Sequence, residues 1–184
     1  MTLNERANAL ADALTADPRV AVQTVAGARV IDCGVQAAGG LGAGLTLARV
    51  CLAGLADVVL VPGEFGLSVQ VHGDEPVRAC LASQYAGWQV AVGKFFAMGS
   101  GPMRALYGKE TVFDDIGGRE SSPVAVGVLE SRKLPTAEVI EYLVGKLGLA
   151  AEKLTLLVAP TASIAGTVQV VARSLETRYT SCTS

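Results

Sequence analysis

Apolar residues along the chain switch repeatedly between a helical and a strand-like spacing, which predicts that helices and strands follow one another. From Leu3 to Leu14 they recur about every 3.6 positions. We therefore expect an opening helix over 2–16, capped by Thr2 or Asn4.

The rest of the chain continues this alternation. Two short valine-rich runs, 20–25 and 28–31, flank Ala26-Gly27 and predict a β-hairpin. Further strands are predicted at 58–61, 67–72, 89–93, 124–129 and 154–158, and further helices at 45–55, 77–86, 102–107, 135–147 and 164–177. Segments rich in glycine or polar residues are predicted to be loops or surface excursions, at 33–44, 94–101 and 110–122.

Strands that alternate with helices indicate the α/β class, and the hairpin-like pairs indicate mixed sheets with covering helices. We divide the chain near residue 118. The first α/β part, 1–118, carries the glycine-rich loops, and the second, 119–184, carries the last helix. Two intertwined sheet-bearing halves would have this layout.

Composition and charge narrow the class of protein. The chain has 184 residues, of which 51% are hydrophobic and 17% charged, with a formal net charge of −2. A charge this close to zero gives no electrostatic argument for nucleic-acid binding. No apolar run reaches the roughly 18 residues that a membrane span needs, and no secretion signal opens the chain. We therefore expect a cytoplasmic protein that binds neither nucleic acid nor membrane.

The residues that could ligate a metal are scattered. Four cysteines, Cys33, Cys51, Cys80 and Cys182, form no Cys-x-x-Cys pair, and His72 is the one histidine. A zinc site needs closer ligand spacing or more histidines. We therefore expect free thiols in a reducing compartment and no metal site.

One late segment combines a buried strand with the start of a helix. The run 154–158 is almost purely apolar, as in a strand covered on both faces, and Pro160 ends it. Thr161 and Ser163 then offer hydroxyl groups that can cap the helix predicted at 164–177.

Arg173 and Glu176 stand three residues apart on this helix and therefore share one of its faces. Such a pair can hold a water molecule or an anionic intermediate between a cation and a base. It is also the commonest kind of surface ion pair, and spacing alone favours that second interpretation.

Two glycine-bearing segments could hold a ligand. The segment 39–44 lies between a predicted strand and a predicted helix, and a tight turn, a phosphate cradle and a nucleotide site all remain open. The segment 98–102 precedes a helix started by proline, with Lys94 and Arg104 nearby, so it could hold a polar ring or a carboxylate. On spacing alone, a plain loop and helix cap is the favoured interpretation of 98–102.

Several blocks of sequence carry a resemblance to one family. The longest runs from Leu157 to Gly166 and is followed by Val168-Gln-Val170, Ala172-Arg173 and Glu176-Thr177; the others are Asp32–Val35, Gly54–Asp57, Phe96–Pro102 and, more weakly, Gly87–Gln89 and Ser131–Pro135. In this combination and order the chain resembles the methenyltetrahydromethanopterin cyclohydrolases, enzymes of one-carbon metabolism.

The resemblance implies a substrate and a mechanism. The substrate would be a pterin whose methenyl bridge between two nitrogens is a cationic amidinium, and hydrolysis would leave an N5-formyl product. Glu176 would act first as base and then as acid, while Arg173 would orient Glu176 and keep it ionised.

The resemblance also extends substrate-binding roles to Lys94, Gly99, Ser100, Thr161 and Ser163. It implies a homotrimer and requires no metal or redox cofactor.

Members of this family continue past the position of Thr177 with a substantial further segment, whereas this sequence ends at Ser184. We therefore expect part of the domain around the site to be missing. A catalytically silent pterin- or phosphate-binding domain remains the alternative to an enzyme, and a nucleotide-binding α/β domain is a third hypothesis.

Overall fold

The computed structural model describes residues 1–64 and 66–174, and in that part of the chain helices and strands alternate. The strands are β1 (Ala21–Val25), β2 (Ala28–Asp32), β3 (Ala56–Gly63), β4 (Gly66–Gly73), β5 (Trp88–Val92), β6 (Phe95–Ser100), β7 (Ala125–Glu130) and β8 (Leu154–Ala159). The α-helices are α1 (Leu3–Leu14), α2 (Leu41–Cys51), α3 (Met103–Tyr107), α4 (Val112–Ile116), α5 (Ala137–Leu147) and α6 (Ile164–Arg173). A π-helix (Val77–Gln84) and a 3₁₀ turn (Ala151–Lys153) complete the described elements.

Six strands form one mixed sheet in the order β1-β2-β8-β7-β6-β5. β8 is parallel to both β2 and β7, and the remaining pairs are antiparallel. β3 and β4 form a separate antiparallel hairpin. The predicted α/β class with mixed sheets is therefore confirmed.

Both predicted halves contribute to the large sheet. β1, β2, β5 and β6 come from 1–118, whereas β7 and β8 come from 119–184. The expected boundary lies in the connection between α4 and β7. The division into two parts stays a prediction.

The parallel strands at the centre of the sheet are covered on both faces. Leu156 of β8 belongs to an apolar cluster with Ile140 of α5, whereas the next residue, Leu157, belongs to a cluster with Leu47 of α2 and Ala165 of α6. Burying a side chain of this size contributes about 1.5–3 kcal/mol. This packing on both faces therefore fixes the positions of residues at the ends of the central strands.

Most predicted elements are confirmed to within two residues at each end, including the opening helix. Thr2 caps α1, because its hydroxyl accepts a hydrogen bond from the Glu5 amide while the Glu5 carboxylate accepts one from the Thr2 amide. The last helix begins at Ile164 as predicted, and its predicted end lies outside the described residues.

α2 begins at Leu41, four residues before the start predicted from the glycine content, so Gly42 and Gly44 are helical. A Cβ atom on Gly44 would lie 2.8 Å from Cβ of Val168 and 3.0 Å from Cα of Ala165. Gly44 therefore permits the close packing of α2 against α6, and this gain outweighs its low helix propensity.

The predicted loop at 94–101 is wrong, because Phe95–Ser100 forms strand β6 between β5 and β7. Phe95 and Ala97 are buried whereas Phe96 is 57% exposed, as expected of a strand with one covered face. The predicted excursion at 110–122 also contains the short helix α4. The helix predicted at 77–86 is present as a π-helix.

Two kinds of feature are absent from the described residues. None of the helices there combines the length and the apolar character that crossing a membrane requires. In the same part of the chain, no three His, Cys, Asp or Glu side chains are grouped so that they could hold a metal ion.

Candidate active site

Three parallel strands end at the same edge of the sheet. β2 ends at Asp32, β7 at Glu130 and β8 at Ala159, and Glu130 pairs directly with Ala159. The turn between β5 and β6 reaches the same edge, because β6 runs antiparallel to β7. This turn brings Lys94 close to the end of β7. In α/β sheets, ligands bind at the carboxyl ends of the strands.

A cleft of about 340 Å³ opens at this edge. Its lining residues are Lys94, Phe96, Glu130, Ser131, Arg132, Lys133, Pro160 and Thr161. The cleft therefore brings together Lys94 and Thr161, which are 67 residues apart in the sequence and for which the resemblance implies substrate binding.

A second, larger cleft of about 440 Å³ lies between α1, α2 and the β3–β4 hairpin. Its charged and polar lining includes Arg6, Arg49, Asp57 and His72. Arg49 is bonded there to Asp57, with 2.9 Å between its Nε and Oδ1. None of the predicted site residues lines this second cleft, so we assign the site to the smaller one.

Arg173 reaches the smaller cleft through Glu130. Its two terminal nitrogens donate to the two carboxylate oxygens of Glu130, Nη1 to Oε1 and Nη2 to Oε2, the latter at 3.3 Å. The side chains are 20% and 8% exposed, respectively. A two-pronged contact of this kind fixes the guanidinium plane as well as its position. Sequence reasoning missed Glu130.

The start of α6 is fixed by two residues of its first turn. The Ser163 hydroxyl accepts a hydrogen bond from the Gly166 amide at 3.0 Å and donates one to the Pro160 carbonyl at 2.8 Å. A Cβ atom on Gly166 would lie 2.0 Å from the Pro160 carbonyl oxygen, so only glycine fits there. The predicted cap at Ser163 is therefore confirmed, whereas Thr161 lies exposed at the rim of the cleft.

Asp32 organises the loop beside this helix start. Its carboxylate accepts hydrogen bonds from four consecutive backbone amides, those of Gly34, Val35, Gln36 and Ala37. Burial by itself raises the pKa of Asp32, but the four amides outweigh burial and hold the pKa below its ordinary value. A Cβ atom on Gly34 would lie 2.8 Å from the Ser163 hydroxyl oxygen, so this loop packs directly on the start of α6.

The comparisons with known proteins agree over nearly the whole chain. The family model described as Cyclohydrolase (MCH) matches residues 2–181. The chain belongs to this cyclohydrolase family.

Named relatives come from bacteria and archaea. The chain is 51% identical over 161 residues to methenyltetrahydromethanopterin cyclohydrolase of Rhodopirellula baltica. The matched region covers 84% of this chain and 48% of that relative. The enzymes of the same name from Methanosarcina barkeri and Methylobacterium organophilum are 50% and 41% identical, covering 82% and 95% of this chain and 49% and 58% of theirs. The chain thus spans about half the length of the curated relatives it matches.

Two more of the predicted site residues, Gly99 and Ser100, lie inside the sheet. The Ser100 hydroxyl is fully buried and lies 3.5 Å from both the Val128 carbonyl oxygen and Sγ of Cys51. Gly99 packs against Met103, whose Cε would lie 3.0 Å from an added Cβ. Neither residue lines the cleft described above, and their substrate-binding roles stay predictions.

A buried polar group precedes Arg173 on α6. Gln169 precedes Arg173 by one helical turn, and its amide nitrogen lies 3.5 Å from Sγ of Cys51. Burial raises the pKa of the Cys51 thiol to about 11, so this thiol is neutral near pH 7. Among the described residues, Oε1 of Gln169 has no hydrogen-bond partner.

Taken together, the fold places Lys94 and Thr161 in the lining of one cleft and bonds Arg173 to Glu130, another lining residue. Ser163 lies in the turn where the helix of Arg173 begins. Glu176, the predicted base, lies outside the described residues. A strand-ending carboxylate such as Glu130 is the one sequence signal that could have revealed the partner of Arg173.

Proposed function

We propose that this protein is a methenyltetrahydromethanopterin cyclohydrolase, which opens the methenyl bridge of N5,N10-methenyltetrahydromethanopterin with water to give N5-formyltetrahydromethanopterin. The family match over residues 2–181 carries this proposal. Support comes from Arg173, which is largely buried and bonded to Glu130, a residue that lines the cleft.

The reaction requires one group that first removes and then returns a proton. Water adds to the bridging carbon, forming a C–O bond, and one of its protons passes to Glu176. Glu176 then protonates N10 as the C–N10 bond breaks. As that bond breaks, the hydroxyl group left by water loses its remaining proton and becomes the formyl C=O. The cationic substrate and water are thereby converted into neutral formyl product and one released proton. One carboxylate can perform both transfers in turn.

Arg173 would serve the same step in two ways. A guanidinium beside Glu176 favours the ionised carboxylate, which is the form that accepts a proton from water. The same cation stabilises negative charge that develops on the oxygen of the hydrate. Both roles require the guanidinium to keep one orientation, and the fork formed with Glu130 provides it.

Three further statements belong to the proposal. Hydration and ring opening change no oxidation state, so we propose that no redox cofactor takes part. One carboxylate can perform both proton transfers, so the proposed mechanism requires no metal ion either. The resemblance supports a homotrimer, which light scattering on the purified chain would measure. It also supports a cytoplasmic location. The silent pterin-binding domain is not favoured, because the named relatives are cyclohydrolases.

The test follows the loss of the methenyl chromophore on mixing with the purified chain. We expect turnover by the parent chain and a decrease of about 10²-fold or more for Glu176→Gln, with substrate binding little changed. Glu141→Gln, on the exposed side of α5, is the control and should behave as the parent. Thermal stabilisation by the pterin without any turnover by the parent would overturn the enzymatic proposal.

A further inference from the structure

The charges around the cleft are strongly unequal. Lys94, Arg132 and Lys133 line it, and Arg173 approaches it from α6. In the described part of the chain, Glu130 is the one carboxylate among the lining residues. Without Glu130, the cleft would present positive charge alone to its ligand.

The Glu130 carboxylate is more deeply buried than the guanidinium it binds. Glu130 is 8% exposed and Arg173 is 20% exposed. Removing two charges from water is costly, and a fork-like contact offsets that cost only when both ends are paired. Within the described residues, the hydrogen bonds of Arg173 all go to Glu130. The net charge of the pair is zero, and that neutrality depends on Glu130.

Charge neutrality matters because the two pterins of the proposed reaction differ in charge at the bridge. The methenyl form is a cationic amidinium, whereas the bridge of the formyl form is uncharged. An uncompensated guanidinium would repel the first and leave the second almost unaffected. A group that neutralises Arg173 therefore offsets one of the four cations at the cleft that disfavour the methenyl form.

We propose that Glu130 is the positioning residue of Arg173 and the countercharge that lets this cleft accept a cationic ligand. This inference rests on the proposed function. Glu130 acts through Arg173: it fixes the guanidinium plane and brings the net charge of the pair to zero. It thereby favours the methenyl form over the formyl form.

The test measures affinities for both pterins with full-length variants in a Glu176→Gln background, where conversion is suppressed. Glu130→Gln keeps the shape of the side chain and removes its charge. We expect the affinity for the methenyl cation, relative to that for the formyl form, to fall by roughly tenfold or more. Glu130→Asp keeps the charge and should keep the ratio close to that of the parent.

The reverse change gives a prediction of opposite sign. Arg173→Gln leaves Glu130 without its cation, so the ratio should rise by several-fold, and the double variant Glu130→Gln/Arg173→Gln should return it to near the parent value. These two variants also keep the test informative if Glu130→Gln alone fails to fold. Glu141→Gln on α5 is the matched control for the loss of a carboxylate.

The outcomes separate the two proposals. Equal losses of both affinities in Glu130→Gln, or an unchanged ratio in Arg173→Gln, would mean a structural role and would overturn the countercharge alone. A parent chain that neither binds nor converts either pterin would overturn the proposed function, and the countercharge with it.

Discussion

Two arginine–glutamate pairs in this molecule use the same two-pronged contact in different surroundings. Arg104 is fully buried and bonds Glu110 through Nε at 2.8 Å and Nη2 at 2.6 Å. Its Nη1 donates to the Leu81 carbonyl at 3.0 Å, and its guanidinium lies 4.9 Å from the centre of the Tyr85 ring. Arg173 is 20% exposed, and among the described residues it bonds Glu130 alone.

The difference lies in what remains available for a ligand. The guanidinium of Arg104 is fully engaged: it holds the π-helix through the carbonyls of Leu81 and Ser83 and packs on aromatic rings. The guanidinium of Arg173 is held by one carboxylate, and that carboxylate, of Glu130, lines a cleft. Ion-pair geometry by itself therefore does not identify a functional arginine; the surroundings of its remaining donors do.

The largest expected effect is on the buried pair. Arg104→Met should lower the free energy of unfolding by about 3–5 kcal/mol, because it leaves a largely buried carboxylate without its cation. The carbonyls of Leu81 and Ser83 also lose their donor. Urea unfolding followed by circular dichroism measures the change.

Arg78→Met provides the control for that experiment. Arg78 and Glu75 are 52% and 47% exposed, so their ion pair should contribute almost nothing and the variant should unfold like the parent. Equal losses for Arg104→Met and Arg78→Met would contradict the structural role of the buried arginine.

Next in size is the effect of Arg173→Met on catalysis. We expect turnover to decrease by roughly 10²-fold, because the cation that keeps Glu176 ionised and stabilises the hydrate is lost. The free energy of unfolding should decrease less than in Arg104→Met, since Glu130 at the cleft can regain water. The chromophore assay and urea unfolding, run on the same preparations, check both statements. Unchanged turnover together with a large loss of stability would mean that Arg173, like Arg104, has a structural role only.

The sequence predicts some of these features and not others. Ser163 as the cap of α6 followed from a hydroxyl between a proline and an apolar helix, and the structure has it there. Strand β6 was missed because Gly99 and Ser100 resemble loop residues. Their small size instead lets the strand pack closely against Met103. Spacing rules describe local structure, and they cannot represent a packing partner supplied by another element.

The candidate site shows the same limit. Arg173 could be found from its own helix, because residues three or four apart share a face. Its observed partner, Glu130, is 43 residues away and comes from a different strand. Only the parallel pairing of β7 with β8 brings the end of that strand to the helix. The family resemblance identified Arg173, but the charge balance around it required the fold.

Asp32 resembles Arg104, because its hydrogen bonds are made to groups of the fold itself, four backbone amides. Its pKa is lowered in the folded protein, so its stabilisation is present above the unfolded pKa of about 3.9 and is lost as pH falls through the folded value. Asp32→Asn should lower the free energy of unfolding by about 1–2 kcal/mol at pH 7. The gap between variant and parent should narrow below about pH 3.9, which urea unfolding at several pH values measures. A gap that is independent of pH would remove the carboxylate charge from the explanation.

The smallest effect, at Ser163, tests whether a residue beside the cleft does more than hold it in shape. Ser163→Ala removes the hydroxyl that accepts the Gly166 amide, and loss of such a cap costs about 1 kcal/mol of stability. Ser163→Thr keeps a hydroxyl and should recover much of that loss.

If Ser163 only caps α6, the KM for the pterin should stay near the parent value in both variants. If it also binds substrate, as the resemblance implies, Ser163→Ala should raise the KM by more than its effect on turnover explains. A raised KM with unchanged stability would contradict the cap, whose geometry places the hydroxyl between Pro160 and Gly166 and so fixes the start of the helix that carries Arg173.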